Sequence, residues 1–526
     1  MGRLLRGFLP ALVLALAGCI VVVREVPVRR IDPVAAAPAV RDSSGIYRGP
    51  ARAHLRDGGT VLFRDSVRIT QTELVGVGTA FAFMSEDAQP RGTVPLDSVV
   101  ALETFVQTNY PGTSLFLSAA LTGLGVSAAV LGAKALFGSC PTIYTDSGNG
   151  PVLQAEGFSY AIAPRFEHPD LDPINIVPDA NGVLRFELRN EALETHYINR
   201  LTLLAVRHPV GALALPDQQQ RTVLVDGLRA VQAIDRAGRD ISSIVAEADD
   251  ALYATPSALI DAATERDFDD WIDVTIGDAV RGDSIALVLR MRNSLLNTVL
   301  LYDVMLSSGD ATNWLTSGMD HATTALRLGL WYRAAMGMRI EGGATETGTV
   351  VARLGDVGPI AFRDVAVVLP RSALDEQGRV RLRFAADNWR IDQVRVGRYA
   401  GLAEVVALTP RQVLARTSEA ASSPVHEASS AHAVAVADST YLQTVPGQRL
   451  WFEFEAPAAV EGEALSYLIG WQGWYREWMR GDWLARSVSA PPFEPGAKSL
   501  VAAMRKWRHN QEAFERLFYA TKVPVR

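Results

Sequence analysis

Two cysteines in 526 residues, Cys19 and Cys140, constrain most tightly what this chain can fold into. One disulfide is the most they could form, so no disulfide framework exists and every domain must hold together by burying apolar surface. The material for that is present, because hydrophobic residues make up 48% of the chain. Its length exceeds what one core serves and implies roughly three or four domains. A formal charge of -7 argues against nucleic acid as a partner, since no basic stripe is available to replace phosphate counterions.

Cys19 has a distinctive context. Met1-Gly2-Arg3 opens an apolar run from Phe8 to Ala17, and Leu16-Ala17-Gly18 places small residues directly before the thiol. This leader resembles the lipobox of bacterial secreted lipoproteins, which implies that residues 1–18 are a signal peptide. The same resemblance implies lipidation of Cys19, palmitate included, and a membrane as first partner. The expected location is the bacterial cell envelope, at the outer membrane or the outer leaflet of the inner one. With Cys19 acylated, Cys140 has no partner in the chain, and a lone cysteine is expected as a small buried residue. Residues 19–44 carry Pro27, Pro33, Pro38 and an alanine run, the composition of an extended tether.

The expected fold is mainly β. Residues 45–105 hold short alternating runs punctuated by Asp57-Gly58-Gly59, a tight hairpin turn. Leu55 to Val61, Leu74-Val75-Gly76 and Pro95 to Val99 resemble the meander of a small SH3-like or Sm-like barrel. Residues 110–138 form an apolar helix rich in glycine and alanine, uncharged between Glu103 and Lys134. Thr113 to Phe137 is long enough to cross a hydrocarbon core of roughly 30 Å. Small residues four apart, such as Ala119 with Gly123, also suit close helix packing, so this stretch is expected as a membrane span or as a helix packed on protein or on its own copies, a homo-oligomer contact.

From Cys140 onward the pattern is of tandem β-sandwich-like domains, at 139–275 and 276–415. A low-complexity linker at 416–438 and a C-terminal β segment with a helix at 439–526 follow. Arg189-Asn190-x-x-Leu193-x-Thr195 recurs as Arg292-Asn293-x-x-Leu296-x-Thr298, each after a strand-like run, with a weaker third copy around Asn388. Asp235 to Tyr253 has the spacing of a short helix at Ile241, Ile244, Val245, Ala248 and Leu252. Val501, Met504, Trp507, Phe514 and Phe518 put one apolar stripe on a terminal helix, Ser499 to Tyr519.

Cys140 to Tyr144, Phe186 to Glu191 with Thr195-His196-Tyr197, Leu203 to Pro209, Asp235 to Asp240 and Trp271-Ile272-Asp273 give residues 139–485 a resemblance. They are similar to the β-rich region that follows FG-GAP or tetratricopeptide repeats in some bacterial surface proteins. The resemblance implies an uncharacterised envelope lipoprotein and brings no catalytic residues.

Candidate sites are few. The Asp146 to Gly150 loop does not make a calcium loop, because Gly157 stands where a bidentate acid is needed. His426 and His432 lack the ligands that would complete a metal site, so no metal and no cofactor is expected. Asp267, Asp269, Asp270 and Asp273 gather four carboxylates that would suit a cation or an acid and base pair, or simply a solvated strand edge. Six of the ten tryptophans follow residue 450, and Trp471, Trp474, Tyr475 and Trp478 are the candidate ligand-binding aromatics, with a sandwich core as the other place for such rings. No nucleophile elbow, zinc motif, phosphate loop or dinucleotide fingerprint occurs. The expectation is a non-enzymatic scaffold or binding module for an envelope protein or glycan, with a carbohydrate-active lipoprotein as the alternative.

Overall fold

The computed structural model describes residues 44–104, 140–300, 322–418, 421–423, 434–477 and 495–520, apart from short stretches within those ranges. The chain is mainly β, as expected, and the strands among the described residues lie in five antiparallel sheets. The expected signal peptide, Cys19, the expected tether up to residue 43, the helix expected at 110–138, Trp478 and most of the expected 416–438 linker lie outside the described residues. Among those described, no helix is long and apolar enough to cross a membrane.

The first sheet is a meander of Ala88–Pro95, Glu73–Phe81, Thr60–Ile69, Ala51–Leu55 and Val99–Thr104 in that spatial order, with Ile46–Arg48 also paired to Thr60–Ile69. Alternation along these strands turns Ala51, Ala53, Val61, Phe63, Val67 and Leu74 into one core. Arg52 points the other way and is fully buried, its guanidinium donating to the Glu477 carbonyl in the next sheet.

Two sandwiches make up the remainder, and they are nested rather than consecutive. One sheet of the first joins Thr142–Asp146, Pro151–Glu156 and Val183–Arg189 to Arg449–Glu455 and Gln412–Ser418. Its facing sheet joins His168–Ile174, Glu194–Pro209, Glu463–Glu477 and Val405–Leu408. The second sandwich occupies the chain between, Leu213 to Leu402. One of its sheets is built on Ser284–Asn293 and Trp389–Leu402, the other on Asp269–Thr275 and Arg379–Ala385. The expected boundaries at 275/276 and 415/439 are therefore corrected. Strand Glu194–Pro209 pairs along its whole length with Glu463–Glu477, and a long backbone ladder cannot be split between domains.

The predicted helix at Asp235 to Tyr253 is also corrected. Residues 241–249 are turns and bends, and the helix lies further on, at Ser257–Asp261. Ile241 and Val245 are buried in the second sandwich's core, so the apolar spacing reflects a strap pinned over the sheet end, where the Val245 carbonyl accepts the Val394 amide. The terminal helix does form, over Ala497–Ala520, and buries Leu500, Met504, Trp507, Phe514 and Phe518. Trp507 Nε1 donates to Asp387 at 2.6 Å, and Arg390 clasps the same carboxylate at 2.7 Å.

The sequence echo has a physical basis in its asparagines. Asn190 and Asn293 are both fully buried and tie backbone groups together. Asn190 Nδ2 donates to the carbonyls of Glu194 and Thr444, and Asn293 Oδ1 accepts the amides of Val357 and Gly358. Beyond them the copies diverge, because residues 296–300 are helical where a strand follows Asn190.

A second recurrence is more regular. Asp179–Val183, Asp217–Arg221, Asp235–Arg239 and Asp375–Arg379 share one turn, in which the first residue's Oδ1 accepts the amides two and four residues on. In the last three an arginine at the fifth position returns Nε to Oδ2 at 2.7–2.9 Å. The fourth residue must take a left-handed conformation, and it is Gly182, Gly238 and Gly378 in three of the turns. In the remaining turn it is Gln220, with φ +59°. Gln220→Gly should therefore raise stability by about 0.5–1 kcal/mol in denaturant melts.

Candidate functional site

The two sandwiches meet across a set of charges buried from solvent. Strand His168–Ile174 is the edge of the first sandwich's second sheet, and its alternation sends Asp170 and Asp172 one way and Leu171 the other. Arg363, the first residue of Arg363–Pro370 in the second sandwich, inserts between the two acids and is 4% exposed. Its Nη1 and Nη2 reach the Asp170 oxygens at 2.6 and 2.9 Å, Nη2 also reaches Asp172 Oδ2 at 2.9 Å, and Nε touches Asp172 Oδ1. Trp471 Nε1 donates to Asp172 at 2.7 Å from the neighbouring strand. A third acid, Glu156, ends strand Pro151–Glu156 and accepts the amides of Ile360 and Ala361 at 2.6 and 3.1 Å.

Three carboxylates facing one guanidinium cannot all be ionised in a buried site. Burial pushes Glu156 up to about 8, beyond what its two backbone donors recover, so it is protonated at neutral pH. Burial likewise pushes Asp172 up to about 7 against the pull of Arg363, with the Asp170 charge adding to the rise. Asp170, despite burial, is held below the usual carboxylate range by Arg363. The resulting group is a near-neutral latch between the sandwiches.

The candidate aromatics belong to this same interior. Trp471 and Trp474 are fully buried and Tyr475 is 6% exposed. Trp474 stacks on Tyr197 at 4.1 Å, Trp471 meets Phe158 edge-on, and the Tyr475 hydroxyl donates to the Ser159 carbonyl. Gly157 passes so close to Trp471 that a Cβ there would lie 2.6 Å from the indole. These rings are packed in the interior and present no face to a ligand; alternation on Glu463–Glu477 puts Trp471 and Tyr475 on one face of the strand and Trp474 on the other, against Tyr197. Cys140 is buried, and burial raises its thiol well above the ordinary value.

The acid cluster is divided by strand geometry. Asp270 faces inward, where it accepts from Tyr253 at 2.9 Å and Thr255 at 2.7 Å. Asp267 pairs with Arg236, Asp269 with Arg339, and Asp273 takes Arg381 through both oxygens. The guanidiniums of Arg236, Arg381 and Arg383 also lie 4.5–4.8 Å from the Trp271 ring. These acids are matched by arginines rather than open to a cation, and no group of three or more metal-ligating side chains occurs among the described residues.

An open feature lies on the outer face of the Glu194–Pro209 sheet. There a cleft of about 300 Å³ is lined by Arg200, Thr202, Gln220, Thr222 and Val405, with Asp170 and Gly470 also among its lining residues. Sequence reasoning missed both this cleft and the latch. Asp170-Leu171-Asp172 carries a faint signal, two acids at strand spacing around an apolar residue, but nothing local marks Arg363 or Arg200.

No protein-family model matches the chain, and no curated protein does. The structure of infectious bursal disease virus Gx strain matches over 72% of this chain and 82% of that one, at 10% identity and a TM-score of 0.13. A score that low carries no argument about fold or function.

The latch makes two measurable demands. Arg363→Met strands two acids, and breaking a buried pair from one side costs about 3–5 kcal/mol, so a Tm fall of about 10 °C is expected by calorimetry. Glu156 has its folded pKa raised above the unfolded value. Its stabilisation is therefore complete in acid and lost as pH climbs from the unfolded carboxylate range through about 8. Glu156→Gln should flatten the decline of Tm between pH 5 and 8.5 by at least about 2 °C; a parallel decline would reject a neutral Glu156.

Proposed function

We propose that this protein is a lipid-anchored envelope lipoprotein whose body acts as a non-enzymatic binding module or scaffold. Leu16-Ala17-Gly18-Cys19 after a basic and apolar leader supports the anchor, and the proline-bearing stretch to residue 44 supports a spacer between membrane and body. The single observation that favours binding over catalysis is the state of the carboxylates. Asp267, Asp269 and Asp273 are engaged by arginines, while Asp270 and the latch acids are buried in hydrogen-bonded groups. A general acid or base must reach its substrate, and Asp270 and the latch acids are shut away from solvent.

The rigid body suits that role. Two sandwiches fixed by a buried latch hold a surface in one geometry, which lowers the ordering cost of recognition. We read the N-terminal sheet as a small SH3-like barrel. Its meander order, with a 3₁₀ turn at Leu96–Ser98 before the closing strand, supports that reading, and its Arg52 contact makes it an assembly module docked on the first sandwich. The apolar stretch 113–137 is proposed as the site of either membrane or self-association.

Lipidation is tested directly. Cells expressing the protein and fed an alkyne palmitate should yield a labelled band that Cys19→Ser abolishes, and the N-terminal peptide should begin at acylated Cys19. An unmodified peptide that retains residues 1–18 would overturn the anchor.

A further inference from the structure

We infer that the cleft beside the latch binds a small oxyanion, a carboxylate or phosphate carried on a hydroxylated body, with Arg200 as its principal partner. The inference deepens the binding-module reading and rests on it. Three observations converge there. Strand alternation on Glu194–Pro209 puts Arg200, Thr202 and Leu204 on the sheet's outer face, and Thr222 and Leu224 approach from the second sandwich. The Leu204 and Leu224 end closes as an apolar contact with Leu171, Val206 and Leu468, while the Arg200 and Thr222 end stays open as the cleft.

Arg200 is a guanidinium without an acceptor. Among the described residues it makes no ion pair or hydrogen bond, and its Nε is shielded from solvent without a partner. A guanidinium does not escape by deprotonation, so its charge remains to be answered. Asp170, the acid among the cleft's lining residues, is already held by Arg363. Thr222 is 7% exposed, lines the cleft, and its hydroxyl has no partner among the described residues.

Gln220 supplies the third observation. It keeps a side chain in the left-handed position that Gly182, Gly238 and Gly378 fill in the other three turns, and it lines the cleft. Strain of this kind persists where the side chain serves a purpose, and an amide beside a guanidinium fork serves recognition of an oxyanion with neighbouring hydroxyls. The cleft's volume sits at the small end of ligand pockets, the size of one sugar acid or phosphate rather than a polymer.

The test is calorimetric titration of the full chain in detergent with sodium glucuronate, inorganic phosphate and, as a neutral control, glucose. One of the two oxyanions should bind at one per chain with a Kd below about 1 mM, and glucose should not. The oxyanion that binds more tightly distinguishes a sugar acid from a phosphate. Arg200→Gln should weaken binding by at least about tenfold, Arg200→Lys by less because it keeps the charge and loses the fork, and Gln220→Gly several-fold while Tm rises. Absence of binding by both oxyanions, or binding unchanged in both Arg200 variants, would overturn the site. Palmitate labelling of Cys19 is read separately, so a failed site with labelled protein and a failed anchor with a working site are distinct results.

Discussion

The arrangement of this molecule depends on one buried guanidinium. Arg363 crosses from the second sandwich into the first and is met by Asp170 and Asp172, with Glu156 alongside. Burying such charges is expensive, and apolar residues of similar volume often serve stability as well. What the charged set adds is direction, since a planar fork accepts its carboxylates in few orientations. A hydrophobic contact alone would let two sandwiches slide, whereas this one fixes their register.

Nesting makes such a fixture useful. The second sandwich leaves the first after Pro209 and returns at Val405, so two connections enter and exit on one side of the Glu194–Pro209 sheet. On that side lie the apolar contact of Leu171, Val206, Leu224 and Leu468 and, beside it, the cleft with Arg200. The cleft's walls thus come from both sandwiches, and Asp170, one of its lining residues, also belongs to the latch. Recognition and architecture share one strand, His168–Ile174, whose two faces serve the latch and the cleft in turn.

Several features were legible along the chain because they are local. Strands at Thr142–Asp146, Val183–Arg189 and Ser284–Asn293 follow from alternation and turn residues, and the terminal helix from its apolar stripe. The buried Cys140 follows from its lack of a partner. The helix expected at Asp235 to Tyr253 failed for a physical reason: Ile241 and Val245 are spaced to reach one core, and a bent strap meets that spacing as well as a helix does. The tryptophans after residue 450 are ambiguous in the same way, because a ring that packs a core and one that grips a ligand have the same local sequence.

The amino-acid sequence by itself determined the class of the chain: mainly β, with two cysteines that allow one disulfide at most and so no disulfide framework. Which strands pair, and hence where domains begin, only the tertiary structure decided, since Glu194–Pro209 finds its partner more than two hundred residues away at Glu463–Glu477. The latch and the cleft belong to the same category. Arg363 meets Asp170 across 193 residues, and Arg200 faces Gln220 and Thr222 only once the inserted sandwich has folded back. Strand alternation sets which way a side chain points, but what it meets depends on long-range packing, and no short window of sequence records that.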